Sequence, residues 1–144
     1  MFMGYKNVSV ERRFIGRFPH GSDLLQEINK LITQENILSG EIRIIGAVSK
    51  AVFGYYNSES KNYIYISKDE HMEILNCIGN ISVKDGKPFA HVHITLADKH
   101  GNAYGGHLME GTIIFAAEFV ITDYGDNKLE RVYDETTGLQ LWNI

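Results

Sequence analysis

Two histidines separated by one residue, His91 and His93, stand in the run Ala90-His91-Val92-His93-Ile94-Thr95-Leu96, and that run restricts what the backbone can be. Residues i and i+2 share a face in a β-strand but lie on nearly opposite sides of a helix. Val92, Ile94 and Leu96 alternate with His91, His93 and Thr95, so the segment is expected to be a strand with both imidazoles on one face. Asp98-Lys99-His100-Gly101-Asn102 reads as a turn that folds Gly105-Gly106-His107-Leu108 back toward the end of that strand, bringing His107 within reach. Three imidazoles on one surface are a metal-site candidate. The spacing also admits a purely structural role, with His91 and His93 bonded across strands and His107 in a loop beside turning glycines.

Composition narrows the classes of function. At 144 residues and 44% hydrophobic, the chain can build one real core and not two comfortable ones, so a single domain over 1–144 is expected. A net charge of -4 supplies no overall field toward nucleic acid or anionic lipid. Arg12, Arg13 and Arg17 form the one local basic cluster, a pattern that also suits a solvated face. Cys77, the single cysteine, lies in an apolar run and reads as a buried, inert thiol, consistent with a reducing compartment. The N-terminus lacks the features of a signal peptide, and no apolar window approaches the ~18 residues that span a bilayer, so a soluble cytoplasmic protein without a membrane partner is expected.

Along the chain, Val8-Ser9-Val10 and its neighbours up to Phe18 read as an entering strand. Asp23 with Gln26 three residues later forms a capping box, and Leu24, Leu25, Ile28, Leu31 and Ile32 recur at helical spacing, which predicts a helix from Leu24 to Glu35. Two strands follow, at 41–48 and 51–56, then Tyr63-Ile64-Tyr65-Ile66, where rings are expected on one face and isoleucines packed inward on the other. Residues 71–83 form a long strand with Gly79 as a candidate bulge, and Asp85-Gly86 turns it into the histidine strand. Residues 111–121 are apolar at nearly every position, which predicts a strand covered on both faces in which Glu118 needs a partner. The last stretch carries a weak strand at 129–133, with Leu139, Leu141 and Trp142 packing onto the body. The expected class is α+β: a mainly β domain with one principal helix.

Gly40-Glu41-Ile42 through Ile45-Gly46-Ala47-Val48, Met72-Glu73-Ile74-Leu75 ending in Gly79-Asn80-Ile81, Pro88 through His93, and Gly105-Gly106-His107-Leu108 together resemble the PPC (plants and prokaryotes conserved) domain of the prokaryotic, single-domain type. The resemblance implies an α+β domain with a strongly bent, mainly antiparallel sheet assembled as a homotrimer, with a fold similar to that of acetolactate decarboxylase, a zinc enzyme holding its metal by a His-x-His pair and a later histidine. By position it implies His91, His93 and His107 as metal ligands, for Zn²⁺ or another divalent transition metal. It also implies DNA binding, since plant members join the domain to AT-hooks; no Arg-Gly-Arg-Pro core occurs in this chain.

Three neutral imidazoles leave a fourth position on zinc for water or substrate, the pattern of catalytic sites, and metal-assisted lyase or hydrolase chemistry on a small molecule would follow. Glu118 is the candidate acid or base, against the reading that it pairs with an arginine such as Arg43. His20 either lines the same pocket or caps a turn, Gly105 and Gly106 would let backbone approach a ligand or another subunit, and His71 and His100 read as exposed turn residues. No nucleophile elbow, dinucleotide fingerprint or Walker loop is present. Two functions emerge: a metal-binding homotrimer that acts on or senses a small polar ligand, and a DNA-binding or regulatory scaffold with structural histidines.

Overall fold

In a computed structural model, which describes residues 3–144, the chain runs β1 (Arg12–Phe18), α1 (Leu24–Gln34), β2 (Gly40–Asn57), β3 (Asn62–Lys68), β4 (Met72–Lys84), β5 (Lys87–Ala97), β6 (Ala103–Leu108), β7 (Ile113–Asp123), β8 (Arg131–Asp134) and β9 (Leu139–Trp142). Every pairing between these strands is antiparallel, and the main sheet has the order β1-β7-β2-β4-β5-β6. β2 is long enough to serve two neighbourhoods. Its first half lies between β7 and β4, and its second half pairs with β3 and, at Phe53↔Leu108 and Gly54↔His107, with β6. The sheet therefore curls until β6 meets β2 again, closing β2, β4, β5 and β6 into a ring.

The bend has a local cause. Register shifts fall at Ile44/Gly46 against β4 and at Ala47/Val48 and Val48/Lys50 against β7. Gly46 has φ +143, and a Cβ there would run into the carbonyl oxygen of Ala116. Bulges of this kind increase twist and bend a strand without ending it. The polar Ser49-Lys50 pair, which suggests a break between two strands, thus sits inside one continuous 18-residue strand.

Helix α1 closes the concave face. Asp23 caps it by accepting from the Gln26 amide at 3.0 Å, worth about 1 kcal/mol. Leu24, Ile28 and Ile32 are fully buried on one side of the helix, against sheet residues such as Ile94, Leu96, Ile114 and Leu108 in a single core. That helix is too short and too amphipathic to cross a membrane, and no other helix occurs among the described residues.

Four expectations are corrected. Residues 8–10 are not strand: β1 starts at Arg12, which is paired with Asp123 at the end of β7, so upstream residues have no strand left to join. Gly79 is not a bulge; it pairs in register with Ile42 and Val92, and the irregularity in β4 lies between Ile74 and Asn76. The isoleucines of β3 do not pack inward, since Ile64 and Ile66 are both exposed on a strand that extends beyond the core. β7 is covered on one face only: Ile114, Ala117 and Ile121 are buried, while Phe115, Glu118 and Val120 are exposed. The helix lies on a single side of the sheet, and among the described residues no second helix covers the other.

Candidate metal centre

His91 and His93 project from the outer face of β5, because Ala90, Val92, Ile94 and Leu96 occupy the alternate, buried positions. His107 arrives from β6, whose register places it directly opposite His93. The turn between the two strands is set by Asp98: one carboxylate oxygen accepts from the His100 and Asn102 amides at 2.8 and 2.9 Å, and the other from the Asn102 side chain at 3.0 Å. Gly106 then lets β6 approach β2, since a Cβ there would meet the Gly54 carbonyl oxygen.

The three imidazoles face one another. Ring centroids are 5.1 Å apart for His91 and His93, 5.1 Å for His91 and His107, and 5.6 Å for His93 and His107. One ring nitrogen from each lies within 4.8 Å of the others. Burial, the neighbouring histidines and Arg131 hold His91 down at about 4, and burial leads in holding His107 down at about 4 as well. Both are therefore neutral at pH 7, the form in which imidazole binds a metal. Nδ1 of His107 is buried without a hydrogen-bond partner. A buried, unpartnered ring nitrogen is costly unless something else occupies its lone pair or takes its proton, so the residues present fit a metal ion.

A cavity of about 800 Å³ opens over the histidines, within the range of small-molecule sites. Its far wall is the β8–β9 hairpin, fastened at both ends. At one end Arg131 donates to Ser82 Oγ (2.7 Å) and Asn80 Oδ1 (2.8 Å) on β4. At the other, Tyr56 and Lys61 donate to the carbonyls of Thr137 (2.7 Å) and Glu135 (2.9 Å). Tyr63 tilts against His107 with centroids 5.0 Å apart. A second hollow, about 420 Å³ and lined by Glu41, Arg43 and Asn80 among others, reaches His91 and His93 from the outer face of the sheet.

The other sequence candidates lie elsewhere in the chain. Glu118 is exposed on β7, opposite Arg17 and Ile45, lines neither cavity, and is not within ion-pair distance of Arg43. His20 bonds through Nδ1 to the Phe115 carbonyl at 2.8 Å and lines neither cavity. Gly106 lines the large cavity, whereas Gly105 packs against Ile94 and Thr95 of β5. His71 and His100 are exposed. The buried Cys77 thiol is pushed up to about 12 by burial, which leaves it inert. Arg131, Lys84 and Tyr63 escape sequence reasoning. The available signal was that Arg131 stands alone, with no other arginine after Arg43, in a stretch of strand-forming residues.

The model of the Plants and Prokaryotes Conserved (PCC) domain, the family named above under its other abbreviation, matches residues 5–125. Among solved structures, the chain is similar to a metal-containing protein of Archaeoglobus fulgidus, with 39% identity, TM-score 0.91, and 97% of this chain and 99% of that one covered. A plant- and prokaryote-conserved protein of Pyrococcus horikoshii gives 34%, 0.91, 99% and 98%. A candidate DNA-binding protein of Bacteroides thetaiotaomicron gives 29%, 0.86, 94% and 96%. Acetolactate decarboxylase of Bacillus subtilis, at 16% identity and TM-score 0.56 over 81% of this chain and 53% of that one, shares the fold alone. The chain is also 32% identical over 123 residues to a bifunctional protein GlmU of Synechococcus sp., of which it spans only 18% of the length while 84% of this chain is matched. The strand order, the three-histidine cluster and the match over residues 5–125 agree: this chain belongs to the Plants and Prokaryotes Conserved domain family.

Proposed function

We propose that the chain is a homotrimer that holds one divalent metal ion per subunit, zinc, through His91, His93 and His107, and uses it on a small polar ligand in the cavity beneath the β8–β9 hairpin. The observation that carries this reading is the convergence of three imidazoles, one with an orphaned buried nitrogen, at the floor of a cavity of small-molecule size. A structure similar over nearly its whole length is that of a metal-containing protein. With three protein ligands, bound zinc supplies Lewis acidity and a lowered pKa for its water, the chemistry of a lyase or hydrolase. The chain's part is to keep His91 and His107 neutral, to orient His107 by the Asp98 turn, and to cover the site with the hairpin.

The trimer is supported by the uncovered face of the sheet, where Ile15, Ile45, Leu75, Ile78, Phe115 and Val120 are each more than a third exposed. An exposed, largely apolar face of this kind, with Arg43 and Glu118 standing among its residues, is what an interface buries. Glu118 stands in that face, so a catalytic role for it requires a neighbouring subunit to carry it to a histidine site.

Cobalt(II) titration of the metal-free protein tests the reading. One equivalent should raise the visible absorption of a low-coordinate cobalt site, and His93→Ala should abolish it without unfolding the chain. Absorption that never develops in the parent protein contradicts the assignment.

The DNA-binding reading draws on similar proteins described as candidate DNA binders. Within this chain Arg12 is committed to Asp123 and Glu35, which leaves Arg13 and Arg17 as the exposed cations of β1. Replacing Arg12, Arg13 and Arg17 by Ala should then weaken duplex binding and flatten its salt dependence, and no binding by the parent at low salt removes this reading.

A further inference from the structure

The wall of the large cavity is chemically one-sided. It carries Lys61, Lys84 and Arg131 and no aspartate or glutamate, in a chain whose net charge is -4. Lys61 is turned to a backbone carbonyl, and Lys84 lies with Nζ 5.1 Å from the centre of the Phe89 ring. Arg131 is the most constrained of the three. Its Nε, Nη1 and Nη2 donate to Ser82 Oγ, the Gln140 carbonyl and Asn80 Oδ1 at 2.7, 2.8 and 2.8 Å. Phe89 and Trp142 flank the guanidinium, 5.3 and 6.0 Å from its carbon to the ring centres.

All three acceptors are neutral, and no carboxylate among the described residues lies within ion-pair distance of Arg131. Of the five N–H donors of a guanidinium, two remain. A half-buried cation held rigidly and left without a counter-charge is unfavourable in an empty protein and favourable once an anion arrives. The position is also close to the metal centre: Asn80, which holds Nη2, is the cross-strand partner of His91. Arg131 lies beyond residues 5–125, outside the stretch that the family model matches.

We infer that the cavity takes an organic carboxylate with a flat, apolar body: its acid group is held by Arg131 of the β8–β9 hairpin, and its other end faces His91, His93 and His107. The inference rests on the metal-site reading above and names the ligand class for that same site. Aromatic side chains line the space between the two ends, with Tyr63 against His107 and Phe89 against Arg131. Arg131 is thereby a specificity-determining residue, and the hairpin is more than a cover.

The opposing account makes Arg131 only a clamp that fastens the hairpin to β4. Benzohydroxamate, a zinc-binding group on a flat ring, separates the two when compared with its meta and para carboxylate and carboxamide derivatives on the zinc-loaded full chain. Calorimetry should show one carboxylate isomer binding about tenfold more tightly than its carboxamide, the increment of one charge-assisted contact. Arg131→Gln should erase that preference while leaving the carboxamide affinity and zinc content unchanged. Trp142, the only tryptophan, reports by its fluorescence whether the hairpin is still seated. Should Arg131→Gln displace the hairpin, Lys84→Met provides the second arm and should reduce the carboxylate preference severalfold. Equal affinity for acid and amide in the parent overturns the inference, as does a preference that survives both substitutions. Failure of plain benzohydroxamate to bind zinc-loaded protein, or failure to load zinc, instead counts against the metal site itself.

Discussion

His93 on β5 and His107 on β6 are cross-strand partners, opposite one another in register with ring centroids 5.6 Å apart. The third imidazole of the cluster is therefore placed by a hydrogen-bonded ladder and not by a loop. β6 is in turn pinned on its other side, because Gly54 of β2 is also opposite His107. Three strands thus converge on one imidazole.

That convergence depends on Gly106. In Gly106→Ala the new methyl group meets the Gly54 carbonyl and the Phe53 ring, and β6 must shift from β2. We expect a loss of about 1–3 kcal/mol in urea unfolding, as for other overpacked sites, and weaker metal retention because His107 moves with the strand. Gly21→Ala, where nothing lies within 4 Å of the added carbon but φ is +80, costs only left-handed backbone strain of about 1 kcal/mol and should leave metal retention unchanged.

The ion pair at the edge of the sheet, buried on its Asp123 side and open on its Arg12 side, should matter to stability alone. Asp123 is nearly fully buried and bonded to Arg12 at 2.7 Å. Removing Arg12 leaves that carboxylate with only the Gly125 amide, so Arg12→Ala should destabilise the chain by about 1–3 kcal/mol, less than for a fully buried pair because Arg12 is half exposed. Zinc content per folded chain should be unchanged, since β1 and the histidines are far apart in the sheet order.

Asp98 gives a pH signature to the turn between β5 and β6. A side-chain hydrogen bond from Asn102, together with the backbone amides, holds its carboxyl down at about 2, below the ordinary 3.8. In the window between these values the unfolded chain binds the proton and the folded chain does not, so stability is lost as the pH is lowered through it. The contribution of Asp98 is fully present above about pH 4 and gone near pH 2. Denaturation of the parent and of Asp98→Ala across this range should show a stability gap that closes as the pH drops; a gap independent of pH would contradict the role given to this side chain.

The apolar outer face should set the oligomeric state. Ile45→Glu and Ile78→Asp place charges on exposed positions of β2 and β4 that do not enter the core. Sedimentation should show the parent as a trimer and these variants as monomers with unchanged circular dichroism. A parent that sediments as a monomer would remove the trimer from the account.

The histidine strand was legible because Val92, Ile94 and Leu96 supply an unbroken period of two, and α1 because Asp23 and Gln26 mark its start ahead of an apolar stripe. Other parts depended on partners distant in sequence. Nothing in Gly105-Gly106-His107 announces pairing with both Thr95 and Gly54, and Ser49-Lys50 reads as a break because a bulge carries no compositional mark. The apolar positions of β7 suggested burial on two faces, although only one is buried within the chain. Arg131 carries no local mark of its role, because its meaning lies in Asn80, Ser82 and an acid-free cavity built largely from residues distant in sequence.

The most direct test is elemental analysis of the full chain after incubation with zinc and removal of excess metal, beside His91→Ala, His93→Ala and His107→Ala. The account predicts about one zinc per parent chain and almost none in each variant, with all four proteins folded. A parent chain without zinc, or a variant that keeps its full complement, would contradict it.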